Sequence, residues 1–355
     1  MPRDLVDQRM NASLAELPVL PAIAEAGRMS DGFGRPITYM RVSVTDRCNI
    51  RCVYCMPEEG MPWIPKESFL TFEELATILG VMGEMGLEKV RVTGGEPLLR
   101  RGLPEFVKMI HNVPSVKQIA LSTNAILFGE QGAALVEAGL NQINISLDTF
   151  QKEKFARISR RDYHDKVMQG IAKAEELGID PLKVNCTVLK GYNDDEILDF
   201  AHITRERPWH VRFIEFMPLE GSRDLQKNTY ISNQEILDRI MEDGKLQPVD
   251  PFDNGGPAVY YQYPGAPGTV GFIDPLSHNF CARCNRMRLT AQGGLRPCLF
   301  SDIEVPLGGA LRDGASRQEL KDLIHQALGV KPERHYLVEK GADASQLIAL
   351  SQVGG

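Results

Sequence analysis

Six short β-rich runs recur along the first two thirds of the chain: "YMRVSVT", "KVRVTGG", "QIALSTN", "QINISLD", "LKVNCTVL" and "HVRFIEFM". Stretches with helical periodicity lie between them, among them "TFEELATILGVMGEMG", "LPEFVKMIHN", "KVMQGIAKAEELG" and "DEILDFAHITRER", and "SNQEILDRIMEDG" follows the last. Strands alternating with helices imply a parallel sheet with crossover helices, either a β/α barrel or an open doubly wound sheet. Six units fall short of the eight of a closed barrel. The expected fold is therefore α/β, a partial (β/α)6 TIM-like barrel that is open on one side. From about Lys245 the rhythm gives way to Pro- and Gly-rich sequence, "PFDNGGPAVYYQYPGAPGTVGF", and one amphipathic helix near "SRQELKDLIHQALG". This suggests three parts: an N-terminal extension over 1–30, the partial barrel over 31–244, and a smaller irregular domain over 245–355 that closes the open side.

Strands of a helix-covered parallel sheet are usually apolar on both faces. Counting by twos, these are not. One face carries Arg41, Ser43 and Thr45; Arg91 and Thr93; Ser122 and Asn124; Asn144, Ser146 and Asp148; Lys183, Asn185 and Thr187; and Glu215 with Met217. Such a lumen is a cavity for a large polar ligand, and Arg41, Arg91 and Lys183 suit an anion. The acidic balance of the whole chain, net −7 with pI near 5.6, argues against a general nucleic-acid binder. No run approaches the roughly eighteen apolar residues of a membrane span. The N-terminus is too polar and proline-broken for a signal peptide, so a reducing cytoplasmic setting is expected.

The seven cysteines fall into two trios and a singleton. Cys48, Cys52 and Cys55 directly follow the first strand, where parallel β/α folds place active sites. Cys281, Cys284 and Cys298 lie in "HNFCARCNRMRLTAQGGLRPC". Cys186 reads as an ordinary buried residue. Soft thiolates select iron–sulfur clusters, zinc or Cu(I). For the second trio two readings stand. His278 completes a closed zinc site with the three thiols, or one coordination position stays open for substrate.

The spacing C-x3-C-x2-C with Tyr54 beside the last cysteine resembles the signature of radical S-adenosylmethionine (SAM) enzymes. "RVTGGEPLLR" agrees, with Gly94, Gly95, Glu96 and Pro97 resembling the element whose backbone binds the methionine amino group. We attribute its glycines to close approach of main chain to ligand. Further motifs, "DGFGRPITYMRVSVTDRCNIRCVYCMP", "FIEFMPL", "FCARCNRMRLTAQGGLRPCLF" and the terminal "SQVGG", are similar to those of the molybdenum cofactor biosynthesis protein A family, the GTP 3′,8-cyclases. The resemblance spans residues 31 to 355. Two departures stand out: "STNA" where the family has Thr-Thr-Asn-Gly, and Ile50 for a Phe. Ser122 keeps the hydroxyl, and Ala125 suggests a turn that does not need positive φ.

The resemblance implies a lyase that uses SAM and two [4Fe-4S] clusters to cyclise GTP to (8S)-3′,8-cyclo-7,8-dihydroguanosine 5′-triphosphate. A 5′-deoxyadenosyl radical takes hydrogen from C3′, and C3′ then joins C8 of guanine. It implies that Cys48, Cys52 and Cys55 hold the first cluster, with Tyr54, Gly95, Ser146 and Met217 around SAM. Cys281, Cys284 and Cys298 hold the second, whose open iron takes the guanine, in a C-terminal auxiliary-cluster domain. Arg41, Arg91, Ser122, Lys183, Arg286, Met287 and Arg288 contact GTP, and Gly354 and Gly355 reach the active site as a tail. The implied partners are a flavodoxin- or ferredoxin-like donor or a chemical reductant, a downstream cyclic pyranopterin monophosphate synthase, and a second copy in a homodimer, with no nucleic acid and no membrane. Two other classes stay in view: a different auxiliary-cluster radical enzyme, such as a peptide modifier, and a non-enzymatic iron–sulfur or zinc protein.

Overall fold

The structure, a computed structural model, describes residues 28–217, 222–250 and 256–335 together with Gln352. The six expected strands form: β1 Tyr39–Ser43, β2 Lys89–Thr93, β3 Gln118–Thr123, β4 Gln142–Ser146, β5 Leu182–Cys186 and β6 Trp209–Ile214. Each pairs parallel to the next in chain order. Between them run helices α1 Phe72–Glu84, α2 Leu103–His111, α3 Phe128–Glu137, α4 Lys152–Ser159, α5 His164–Glu176 and α6 Ile197–Glu206. Helix α1 starts on a capping box, in which Thr71 Oγ1 accepts from Glu74 N (3.1 Å) and Glu74 returns a bond to Thr71 N (2.7 Å). Helix α3 escaped the sequence reading, because Gly129 and Gly132 lower its helix propensity. Gly132 is nevertheless required there, since a β-carbon would strike the Phe128 ring.

The C-terminal third joins the same sheet. After α7 Arg223–Thr229 and α8 Asn233–Asp243 come β7 Gln247–Val249, β8 Val259–Gln262, β9 Thr269–Ile273, β10 Arg286–Leu289, β11 Gly294–Arg296 and β12 Val305–Pro306. Helices α9 Leu307–Arg312 and α10 Arg317–Gly329 follow. Strand β9 adds parallel to β6 and β10 adds parallel to β1, giving the order β12-β11-β10-β1-β2-β3-β4-β5-β6-β9-β8-β7. Eight neighbouring strands are thus parallel, the number of a closed barrel. Among the described residues β9 and β10 do not pair, because each turns into an antiparallel hairpin instead. The partial barrel is borne out, and both of its flanks are built from the chain's far end.

The period-two reading of the strands holds on the apolar side. Val42, Val90, Val92, Leu121, Ile143, Ile145, Val184, Cys186, Val211 and Phe213 are buried in one core with the outer helices. Strand β6 is the exception to the expected polar face. Arg212 and Ile214 line the lumen from the strand itself, while Glu215 and Met217, which also line it, come after the strand ends. Among the described residues no helix is long and apolar enough to cross a membrane.

Candidate active site

The first trio sits on the loop that leaves the C-terminal end of β1. The loop is held by backbone bonds to the end of α4, Arg51 N to Ser159 O (2.8 Å) and Val53 N to Ile158 O (2.9 Å). Two guanidinium groups tie its carbonyls. Arg51 Nη1 reaches Cys48 O (2.7 Å) and Arg160 Nη1 reaches Met56 O (2.9 Å). Tyr54 donates from its hydroxyl to Asp148 Oδ2 (2.8 Å), at the end of β4. All three thiols are half-buried and unpaired. Burial, with Glu96 and Asp148 nearby, pushes Cys48 up to about 12 and Cys52 well above its ordinary range, and burial with Asp148 pushes Cys55 up to about 11. Burial also raises Asp148, to about 6. These sulfurs stay protonated unless a metal takes the proton's place.

The "GGEP" turn locks onto this loop. Gly95 N donates to Thr45 O (2.9 Å) and Glu96 N to Arg47 O (2.7 Å). A β-carbon at Gly94 would collide with the Thr45 carbonyl oxygen, and one at Gly95 with those of Asp46 and Arg47. Both glycines are thus needed for the protein's own main chain to come close. Glu96 then bridges to the next strand, accepting from Thr123 Oγ1 (2.7 Å), Asn124 N (2.7 Å) and Leu98 N (3.1 Å). Asn124 Nδ2 returns to Asn49 Oδ1 in the cysteine loop (2.7 Å). The "STNA" run is therefore a brace as well as a wall. Ala125 does adopt positive φ, 63°, contrary to the expectation from its identity. The turn is imposed by its neighbours, because Gly170 of α5 packs so tightly on it that a β-carbon there would meet the Ala125 carbonyl.

The second trio lies at the other end of the barrel. Strand β10 runs parallel to β1, and Cys281 and Cys284 precede it, whereas the first trio follows β1. Cys298 comes just after β11, which runs back antiparallel to β10. Arg35, paired with Asp31 (2.6 Å), holds Cys281 O (2.7 Å). Lys331 Nζ lies 3.7 Å from Cys284 Sγ. Although burial raises Cys284, Arg286 and Lys331 outweigh it and hold the thiol down at about 7. Burial raises Cys281. His278 is exposed and faces Asp274 (Nδ1 to Oδ2, 3.6 Å), away from the cavity. Among the described residues no three Cys, His, Asp or Glu side chains stand close enough to grip one metal ion.

One cavity of about 300 Å³ reaches from Tyr54 and Asp148 to Cys281, Cys284 and Cys298. Its walls are the lumen sides of the strands. The register sets Arg288, Arg41 and Arg91 side by side across β10, β1 and β2, with Arg286, Tyr39 and Lys89 in the row beneath. Like charges directly opposite repel. Burial, together with this repulsion, pulls Arg41 down to about 10 and Arg288 well below its usual range. Tyr39 accepts a bond from Arg91 Nε. Burial pushes its phenol up, but Arg91, Arg41 and Lys89 prevail and hold it at about 7. Such a row waits for a polyanion.

Of the residues expected around ligands, Arg41, Tyr54, Arg91, Ser122, Ser146, Met217, Arg286 and Arg288 line this cavity. Arg91 Nη1 reaches Ser122 Oγ at 3.5 Å. Lys183 is 1% exposed on the lumen-facing parity of β5 but is not among the lining residues, and neither is Gly95. Met287 turns its side chain into the hydrophobic core, so only its main chain can serve a ligand. Gly354 and Gly355 lie outside the described residues. Tyr39, Lys89, Arg212, Lys331 and His335 line the cavity without having been singled out. Period-two counting would have found Tyr39, Lys89 and Arg212. Lys331 and His335 lie beyond the last strand, where no pattern points to them.

Residues 42–203 match the radical SAM superfamily, and residues 209–337 match the Molybdenum Cofactor Synthesis C family. The GTP 3′,8-cyclase of Pelotomaculum thermopropionicum is 44% identical over 92% of this chain and 100% of its own length. Those of Syntrophomonas wolfei (45%) and Moorella thermoacetica (44%) have the same coverage. The chain belongs to the GTP 3′,8-cyclase family. Among solved structures, Streptococcus suis SuiB bound to S-adenosylmethionine aligns with a TM-score of 0.51 at 15% identity, covering 74% of this chain and 60% of that one. Its complex with precursor peptide SuiA aligns at 0.54 and 13%, covering 88% and 75%. At such identities the likeness concerns the fold, which is that of radical SAM proteins.

Proposed function

We infer that this chain catalyses the radical SAM cyclisation of GTP to (8S)-3′,8-cyclo-7,8-dihydroguanosine 5′-triphosphate, a lyase step of molybdenum cofactor biosynthesis. Beyond family membership, one observation carries the reading: a single cavity runs from Tyr54 of the first cysteine loop, past rows of Arg and Lys side chains, to all three cysteines of the second trio. A four-iron cluster and SAM belong to this chemistry. Cys48, Cys52 and Cys55 would hold that cluster, three half-buried soft donors free of disulfides on one loop. Tyr54, Ser146 and Met217 wall the space beside it, where SAM would lie. The "GGEP" turn, through Gly95, fixes how close the cysteine loop comes. When bound, the cluster and SAM supply a one-electron route to a carbon radical.

The chain's own part is binding, orientation and exclusion of water. Arg41, Arg91, Arg286 and Arg288 would take the triphosphate, with Ser122 beside them and Met287 offering main chain. The anion relieves the repulsion within the arginine row, so substrate binding and the order of the site reinforce each other. Lys183 would act from behind the lumen wall. A second four-iron cluster on Cys281, Cys284 and Cys298 would face the guanine, since the outward turn of His278 leaves three thiols for it. The division into a barrel over 31–244 and an auxiliary-cluster part over 245–355 remains our reading, although both share one sheet. So do the homodimer, a flavodoxin-like donor, a pyranopterin synthase taking the product, the terminal Gly-Gly tail and a cytoplasmic setting suited to seven unpaired thiols. Anaerobic reconstitution should load about eight irons per chain and give 5′-deoxyadenosine only when GTP is present. About four irons, or SAM cleavage indifferent to GTP, would overturn the assignment.

A further inference from the structure

Lys331 follows α10 and is 3% exposed, with no role assigned by the reading above. Its ammonium makes three contacts: Arg286 O at 2.9 Å, Pro297 O at 2.7 Å and Cys284 Sγ at 3.7 Å. The two carbonyls belong to different limbs of the second cysteine loop. Arg286 opens β10 two residues after Cys284, and Pro297 directly precedes Cys298. One side chain therefore straps the limb carrying Cys281 and Cys284 to the limb carrying Cys298.

Charge adds to the strap. A buried ammonium is costly unless paired, and carbonyl dipoles only partly compensate it. Of the three contacted atoms, only the Cys284 sulfur can carry a full negative charge. The groups facing the two trios differ in balance: cations surround the second, carboxylates and one arginine the first. Arg286 and Lys331 stand over Cys284, and Arg35 lies against Cys281; beside the first trio Asp148 and Glu96 stand together with one guanidinium, Arg51 on the Cys48 carbonyl. An outer residue that touches a ligand sulfur tunes the affinity and potential of the metal it holds.

We propose that Lys331 is a positioning residue for the second trio: it clamps the two limbs together and supplies the positive charge that holds and tunes an iron–sulfur cluster there. The inference rests on the proposed second cluster. Lys331→Gln keeps a hydrogen-bond donor and removes the charge; Lys331→Met removes both. In the anaerobically reconstituted full chain, iron retention against a chelator and the midpoint potential of each cluster are read by electron paramagnetic resonance. The first cluster serves as the internal control. Charge removal should move the second midpoint to more negative potential in both variants and leave the first unchanged. Loss of the strap should make the Met variant release its second cluster about ten-fold more readily than the parent, with Gln in between.

Variants whose second cluster keeps the parental midpoint and retention overturn the proposal. So does loss of both clusters together, which would mark a general folding role. If the Met variant does not fold, the Gln midpoint alone decides. A parent that loads only about four irons overturns the second cluster itself, and this inference falls with it. The two failures are told apart by the parental iron count.

Discussion

At Ala125 the sequence suggests an ordinary turn, yet the backbone sits at φ 63° with its methyl fully buried. A left-handed L-residue costs about 1–2 kcal/mol. Glycine would relieve this, but it forfeits about 0.5–1 kcal/mol of backbone entropy and about 0.8 kcal/mol for the lost methyl. These terms nearly cancel. Ala125→Gly should therefore leave the denaturation midpoint within about 0.5 kcal/mol of the parent. Ala174→Gly, equally buried but inside helix α5, should lose about 2 kcal/mol. Similar losses at the two sites would mean that Ala125 is unstrained. Glu96 gives a second residue-scale test. Burial raises its carboxyl to about 7 despite bonds from Asn124, Thr123 and Leu98. A folded value above the unfolded one stabilises at low pH, and that stability is lost as pH rises through the folded value. Between about pH 5 and pH 8 the parent should lose on the order of 3 kcal/mol from this group. Glu96→Gln should flatten that part of the profile, whatever its overall offset.

At the scale of elements, the C-terminal ends of β1, β2 and β3 act as one unit. The chain of contacts runs from the cysteine loop to "GGEP" through Thr45 and Arg47, then through Glu96 to Thr123 and Asn124, and back through Asn49. Gly95→Ala should push the cysteine loop away from the turn at an overpacking cost of about 1–3 kcal/mol. Iron analysis should find the first cluster depleted while the second is retained, and full occupancy of both would show that the turn yields instead. The strands and most helices were legible because period-two and 3.6 patterns report which side is buried. Helix α3 was not, since its glycines serve packing that a sequence does not display. On β6 the expected lumen residues Glu215 and Met217 do line the cavity but lie past the strand end, and Arg212 on the strand was overlooked for a related reason. Arg212 and Glu215 both line the cavity, but the strand ends between them, and period-two counting carries no parity past a strand end.

At the scale of the molecule, the two cysteine loops lie at opposite ends of the barrel, and only Tyr54 of the first reaches the cavity that the second trio lines, so the two should be chemically separable. Cys298→Ala should retain some SAM cleavage uncoupled from GTP while cyclised product is lost. Chromatography of 5′-deoxyadenosine and of the cyclised nucleotide checks this, and equal loss of both would show that the ends do not act independently. The sequence by itself determined the αβ alternation, the six parallel strands, both cysteine trios and most of the basic and polar residues of the lumen. These are local facts of spacing and periodicity, carried within a few residues of one another. Only the tertiary structure decided that β9 and β10 extend both edges of the sheet, that Arg288, Arg41 and Arg91 form one row, and that His278 turns away. It also decided that Lys331 comes to rest on Cys284. Each of these depends on strand order and register between segments as far apart as Arg41 and Arg288, and pairing across such a distance leaves no periodic mark in the chain.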